Sequence, residues 1–543
     1  MELERTTVQN VLKTTLGRRR FLTVTGAAMG LAFMTRLPRS ETALAQQPAP
    51  FPSYPFTLGV ASGDPLPDSV VLWTRLAPNP VVTGEGLMDR RYPIDWRVAT
   101  DENFTNVVKE GTAIVNPEFA YSAHVDVKGL DAGREYFYQF KSGPELSPVG
   151  RTKTAPPAGA ALDRFRFAFA SCQQHPDGFY NAYRDMAQQD LDLVVHLGDY
   201  IYEGAGQGSL GRGHLPAHVI LTLDDYRTRH GQYRSDPDLQ AAHANFPWIV
   251  TWDDHEVTNN YSEADSDPDT PPFDGLQGLE AFIARRANAY RAYWENMPLR
   301  QAQMPQGSSL QLYRRLAFGN LVEYNVLDTR QYRDDQTTCA GEPLINGYCG
   351  SALDPNRTIM GDEQEQWLLD GLGATTARWN VLAQQLQFSR MDGDPSLEGQ
   401  DYVGGGDPWD GYKADRDTIL NFVREQQVSN FIVITGDTHR HGVFDLKADF
   451  ANPQSQTLGA EYMGTSIATG GNPANPETHF GGDPNDPHWL FHNRNRGYVR
   501  CDITPQLWRS DYRIVPDVRT PGVPASTLAS FVTENGNPGA QLD

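Results

Sequence analysis

Phe165-Arg-Phe-Ala-Phe-Ala170, running into Ser171-Cys172-Gln173-Gln174, and Leu193-Val-Val-His-Leu197, running into Gly198-Asp199-Tyr200-Ile201-Tyr202-Glu203, decide the fold of this chain. The first run alternates large and small residues as a strand does, and the second is an apolar run of buried-strand length. Gly178 to Gln189, between them, reads as a helix. A strand, helix, strand unit places its two strands parallel, with both C-terminal ends on one edge of the sheet. Open α/β sheets bind their ligands at that edge. Cys172, Asp199 and Tyr202 are delivered there together, and a thiol, a carboxylate and a phenol converging on one rim suggest a metal site.

The same texture continues outward. Strands are predicted at Trp248–Trp252, Leu321–Leu327, Trp379–Ala383, Phe431–Thr435 and Gly497–Ile503, and amphipathic helices at Leu279–Asn296, Asp362–Leu372 and Asp415–Glu425. Three strand ends finish in polar clusters. They are Asp253-Asp254-His255-Glu256, Gln384-Gln385, and Gly436-Asp437-Thr438-His439-Arg440-His441. Ser262 to Gly278 and Gly404 to Gly411 read as loops. Upstream, short strands at Thr57–Val60, Ser69–Thr74, Ile94–Val98, Ser122–Val127 and Tyr136–Phe140 have the spacing of a β-sandwich. Beyond Ile503 one further strand pair and a terminal Ser/Pro/Gly segment are expected.

The chain has 543 residues and a formal net charge of −22. The missing basic footprint argues against general nucleic-acid or anionic-membrane binding. Gly17-Arg18-Arg19-Arg20-Phe21-Leu22 precedes a mildly apolar run to Met34, and Ala43-Leu44-Ala45 offers a small-residue cleavage site. Arginines at this spacing look like a twin-arginine export signal; an ordinary secretory signal or a retained anchor is the alternative. The apolar run is too short and interrupted for a stable membrane span. Residues 1–45 carry seven Lys/Arg and three Asp/Glu, so their removal takes the charge to −22 − 4 = −26. The four cysteines, Cys172, Cys339, Cys349 and Cys501, allow three complete pairings. Cys339 and Cys349 flank a loop and are the natural disulfide in an oxidising compartment. Cys172 then stays free, and Cys501 reads as a buried thiol.

Ala170-Ser-Cys172, Gly198-Asp-Tyr-Ile-Tyr202, Trp252-Asp-Asp-His-Glu256 and Gly436-Asp-Thr-His439, in this order, resemble the calcineurin-like metallophosphoesterases and more closely the alkaline phosphatase D (PhoD-like) family. Leu130 to Tyr138 resembles the late-strand corner of fibronectin type III domains. The resemblance implies an α/β protein, a mixed β-sandwich flanked by helices with a fibronectin III-like N-terminal β-sandwich. The expected parts are a signal at 1–45, the N-terminal domain at 52–145, a linker at 146–163, the metallophosphatase domain at 164–510 and a C-terminal extension at 511–543.

On this resemblance Asp199 bridges two ions. Cys172, Tyr202 and His439 complete the site of Fe³⁺. Asp254, Asp437 and Gln385, or its neighbour Gln384, give oxygen to Ca²⁺, the hard cation such donors suit. His255 is expected to protonate the leaving alkoxide or hold a phosphoryl oxygen, and Arg330 and Arg333 to clamp phosphate. Asp253 caps or buttresses, and Arg440 and His441 support the site from outside. His175, His214, His218 and His230 are structural. The implied function is a secreted, metal-dependent alkaline phosphatase, periplasmic or extracellular, exported by the twin-arginine machinery. It would act through a metal-activated hydroxide on small phosphate-ester substrates, monoesters and some diesters. The alternatives are a dedicated phosphodiesterase of phospholipase D type on the same site and a non-catalytic, metal-stabilised binding protein.

Overall fold

The computed structural model describes residues 51–263, 270–337, 339, 342, 344–345, 348–391, 406–482 and 486–543. The expected export signal at 1–45 lies outside them, as do parts of the two expected loops, residues 264–269 and 404–405.

The N-terminal segment is strand-rich: β1 (Val60–Leu66), β2 (Ser69–Arg75), β3 (Tyr92–Ala99), β4 (Val107–Val115), β5 (Ser122–Lys128), β6 (Glu135–Ser142), β7 (Glu145–Leu146) and β8 (Gly150–Lys153). The strands β3, β4, β6, β7 and β8 make one sheet. Phe56, Val60, Leu72, Ile94, Val98, Tyr136 and Phe140 form a buried core between it and β1, β2 and β5. A two-layered sandwich is therefore present, but it is not separate. Ser62 of β1 pairs in parallel with Pro247, so one layer of the sandwich continues the central sheet.

The remaining strands are β9 (Phe165–Ala170), β10 (Leu193–Leu197), β11 (Pro247–Thr251), β12 (Arg314–Phe318), β13 (Val322–Val326), β14 (Leu344–Ile345), β15 (Tyr348–Cys349), β16 (Trp379–Ala383), β17 (Phe431–Thr435), β18 (His441–Lys447), β19 (Thr457–Met463), β20 (Thr478–Phe480), β21 (Trp489–Asn493), β22 (Arg496–Ile503), β23 (Leu507–Val515), β24 (Ser526–Glu534) and β25 (Asn537–Leu542). Ten strands run β25-β24-β23-β22-β9-β10-β11-β1-β2-β5, and eight run β12-β13-β16-β17-β19-β18-β21-β20. Phe167, Phe169, Val195, Ile249, Tyr324, Val381, Ile432, Val499 and Trp508 fill the space between these two sheets. The parallel pairs β9–β10 and β10–β11 align His196 with Ala170 and with Val250, which brings three strand ends level.

Helices cover both outer faces: α1 (Asn181–Met186), α2 (Leu223–Arg234), α3 (Pro237–Asn245) and α4 (Gly278–Asn296) on the ten-stranded sheet, α5 (Asp362–Ala374) and α6 (Lys413–Glu425) on the other. Four expectations change. The helix read over 178–189 holds only for Asn181–Met186. The first strand begins at Val60 rather than ending there. Residues beyond Ile503 form three strands, and β24 and β25 extend one edge of the central sheet instead of trailing from it. The 510/511 boundary falls inside β23, whose pairing with β22 runs unbroken through Ser510 and Asp511. Cys339 and Cys349 are disulfide-bonded, and Cys172 and Cys501 are free and buried.

Candidate metal centre

Three strand ends, those of β9, β10 and β17, turn sharply where their polar clusters begin. Cys172, Asp199, Asp437 and His439 all have left-handed backbones, with φ of 59°, 57°, 59° and 56°. Such conformations cost of order 1–3 kcal/mol each for residues other than glycine and gather at functional sites. Gly198, at φ 107°, has no substitute here, because a Cβ would stand 2.4 Å from the backbone nitrogen of Asp253. The close approach lets one carboxylate tie two loops together: Glu256 accepts from the N–H groups of Asp199, Tyr200 and Asp253 at 3.1, 2.6 and 2.9 Å.

Two overlapping donor groups result. Ligand atoms of Cys172, Asp199 and His439 lie within 4.8 Å of one another, as do those of Asp199, Asp254 and His255. Asp199 belongs to both. Tyr202 joins the first group, its hydroxyl donating to Asp199 Oδ2 at 2.7 Å and lying 3.4 Å from His439 Nε2. Tyr200 points elsewhere, with its hydroxyl 2.9 Å from His243 Nε2.

The electrostatics are those of crowded anions. Burial, with the charges of Asp199 and Asp437, pushes the Cys172 thiol well up. Burial does the same to Asp199, aided by Asp254 and Asp253, and to Tyr202, aided by Asp199. Burial and the charge of Arg496 lower His439 to about 3, which keeps its imidazole neutral. Asp254 is held low against its burial by Arg330 and His255. His255 is raised, because Glu203, Asp254 and Asp199 outweigh its burial. Asp199 Oδ1 is buried without a hydrogen-bond partner among the described residues. An orphaned carboxylate oxygen among a thiol, a phenol and a neutral imidazole fits a cation-binding centre.

Several expected site residues stand differently. His255 is not merely beside a ligand but within one donor group; its Nδ1 lies 2.7 Å from Glu203 Oε2, which leaves Nε2 as the free ring nitrogen. The Asp437 carboxylate lies outside both tight groups, although its backbone oxygen is 3.9 Å from Cys172 Sγ. The Gln385 oxygen accepts from the Thr329 hydroxyl, and the Gln384 oxygen accepts from Leu386 N–H and Trp409 Nε1. The Gln384 oxygen thus uses both lone pairs, whereas the Gln385 oxygen keeps one. Arg330 and Arg333 are fully buried and already bound. Arg330 donates to Asp253 at 2.5 Å and to Asp407 at 2.6 Å, and Arg333 to Asp407 at 3.2 Å and to the Tyr412 hydroxyl. They are braces, not phosphate forks. Asp253 accepts from Arg330 through Oδ1, and its Oδ2 is buried without a hydrogen-bond partner among the described residues.

Two contributors escaped the sequence. Glu203 orients His255. The Thr469 hydroxyl, from the loop after β19, lies 2.9 Å from the Tyr202 oxygen and 2.7 Å from the Cys172 carbonyl. Glu203 follows the Asp199 turn and was open to inference; Thr469 carries no local signal.

Residues 167–512 match the model of the PhoD-like phosphatase family, and residues 41–156 match that of the PhoD-like phosphatase N-terminal domain. The chain is 48% identical to alkaline phosphatase D of Bacillus subtilis (strain 168), across 97% of this chain and 89% of that protein. It is similar to a solved structure of PhoD, with a TM-score of 0.82 and 49% identity, covering 91% of this chain and 92% of that one.

Proposed function

The chain belongs to the PhoD-like phosphatase family, and from that premise we propose that it is an exported, metal-dependent alkaline phosphatase that hydrolyses phosphate monoesters and some diesters at a two-ion site. One observation carries the metal reading: the Asp199 carboxylate is shared by two donor groups and keeps an unpartnered buried oxygen. Cys172, Tyr202 and His439 with Asp199 would hold Fe³⁺, and Asp254 with Asp199, joined by Asp437, would hold Ca²⁺. When bound, such ions supply acidified water as nucleophile and neutralise charge on the phosphoryl oxygens.

The chain's own residues do the rest. Glu256 fixes the Asp199 and Asp253 turns relative to each other through three backbone N–H groups. Arg330 holds Asp253 and lies 3.6 Å from Asp254, which favours its ionised form. Glu203 orients the His255 ring, whose centre lies 4.2 Å from that of the Tyr202 ring, so that Nε2 can give its proton to the leaving alkoxide. The His255 side chain is 21% exposed, which gives it access to substrate from solvent.

Export to the periplasm or exterior rests on the arginines at 18–20, and the disulfide at Cys339–Cys349 suits that destination. No helix among the described residues is long and apolar enough to cross a membrane. The division into an N-terminal domain, a linker and a phosphatase domain from residue 164 is likewise our reading; β8 (Gly150–Lys153) pairs with β6, so the N-terminal sheet runs past residue 145 into the stretch expected as linker.

The test is metal analysis of the purified protein alongside rates on a phosphate monoester and a diester, for wild type and Asp199→Asn. The proposal expects both metals in the wild type, monoester turnover, and loss of both metals and of turnover in the variant. A faster diester would favour the dedicated phosphodiesterase. Full activity without metal would overturn the reading.

A further inference from the structure

The last paired residues of β18 and β21 are His441 and Asn493, and Arg440 and Arg494 flank that rung on the side toward His439. The positive charge of Arg494 acts on Arg440 and is unfavourable to it. Among the described residues neither guanidinium makes a hydrogen bond or an ion pair. The carboxylates of Asp437 and Glu477 act on Arg440 through charge, without an ion pair.

Arg440 is half-buried and its guanidinium lies 5.9 Å from the centre of the Trp489 ring, which stands 5.0 Å from His492. His479 stacks on His492 at 5.7 Å, completing a basic and aromatic wall on the outermost hairpin of the eight-stranded sheet. This arrangement contrasts with Arg330 and Arg333, whose charges are already matched by Asp253 and Asp407. Arg440 follows His439 directly, and its charge bears on both His439 and Asp437. Its side chain turns to Trp489 rather than into the donor groups.

We infer that Arg440 and Arg494 form an anion-binding pair on the rim of the metal centre, and that the preferred substrates are phosphate esters whose alcohol carries a second anionic group. This rests on the phosphatase reading for the word substrate, but the pair itself binds whether or not chemistry follows. A half-buried guanidinium without a partner, with a second like charge acting on it, is a cost that a bound carboxylate or second phosphate removes. The Trp489 face, by holding the Arg440 guanidinium in place, lowers the entropy lost on binding.

The test uses two analogues that cannot be hydrolysed, phosphonopentanoate and pentylphosphonate, titrated by calorimetry into the metal-loaded full chain. They differ by one carboxylate. Wild type should bind the carboxylate-bearing analogue at least about tenfold more tightly, a preference that weakens with added salt. Arg440→Gln and Arg494→Gln should each erase most of it, and Arg440→Lys should keep part. Arg494 is exposed, so its variant tests the idea even where Arg440→Gln fails to fold. Equal binding of the two analogues by wild type, or an undiminished preference in Arg494→Gln, would overturn the pair. An enzyme that hydrolyses phosphate esters without this preference refutes the subsite alone. A protein that shows the preference but cleaves no ester keeps the subsite and refutes the phosphatase reading.

Discussion

His255 Nδ1 lies 2.7 Å from the Glu203 carboxylate, and this contact decides which imidazole nitrogen faces the substrate. With Nδ1 engaged, a proton for the leaving group must come from Nε2. His255→Ala should slow an alkyl phosphate by roughly a hundredfold or more, and a nitrophenyl ester, whose leaving group needs little help, far less. Glu203→Gln should give a smaller loss with the same dependence on leaving group, about tenfold to a hundredfold. Steady-state rates on the two esters check this, and equal losses on both would mean that His255 positions or ligates instead.

Tyr202 and Tyr200 separate a ligand from a packing residue. A phenolate on Fe³⁺ absorbs visible light, which no closed-shell ion such as zinc allows. The purified protein should be coloured and should bleach with dithionite. Tyr202→Phe should remove or shift the band. Tyr200→Phe, whose hydroxyl meets His243 and Arg234 instead, should leave the spectrum unchanged. A colourless protein at full activity would refute the iron assignment.

Arg330→Met should act on stability before it acts on substrate binding. The guanidinium is fully buried between Asp253 and Asp407, and removing it strands their charges. A loss of about 3–5 kcal/mol in denaturant unfolding is expected. The KM for a small monoester should move little. A large rise in KM with unchanged unfolding would restore the phosphate-clamp role.

Acid should weaken the fold through histidines remote from the metal centre. Burial lowers His124 to about 4 and His230 to about 3, the latter helped by Arg75 and Arg234. The unfolded chain protonates both near 6.5. The native state therefore binds fewer protons between these values; the stabilisation is complete above pH 6.5 and is lost as pH falls toward 4 and then 3. Thermal unfolding followed from pH 7 to pH 4 should show a falling midpoint. His124→Gln, which removes a ring stacked at 3.9 Å on Trp294, should flatten that fall while lowering stability at pH 7.

What the sequence by itself determined is the set of strand ends and what they carry. An apolar run of five or six residues that stops at Gly198-Asp199, Asp253-Asp254 or Gly436-Asp437 is locally readable, because a buried strand must end where charge begins. Cys172, Asp199, Tyr202, Asp254, His255 and His439 follow from that rule, as do α4, α5 and α6, whose apolar residues recur with helical spacing. Helix α2 does not follow. It buries Arg229, His230 and Arg234 rather than an apolar stripe, so its sequence looks solvated. Strand β4 hides for the opposite reason, as a largely exposed edge. Only the tertiary structure decided that β1, β2 and β5 extend the central sheet, that Arg330 and Arg333 are spent on Asp253 and Asp407, and that Thr469 reaches Tyr202. Each depends on pairing between residues far apart in the chain, where hydrogen-bond register and charge neutralisation choose the partner. Local pattern records whether a side chain is buried or polar; which distant group satisfies it is settled only when the sheets close.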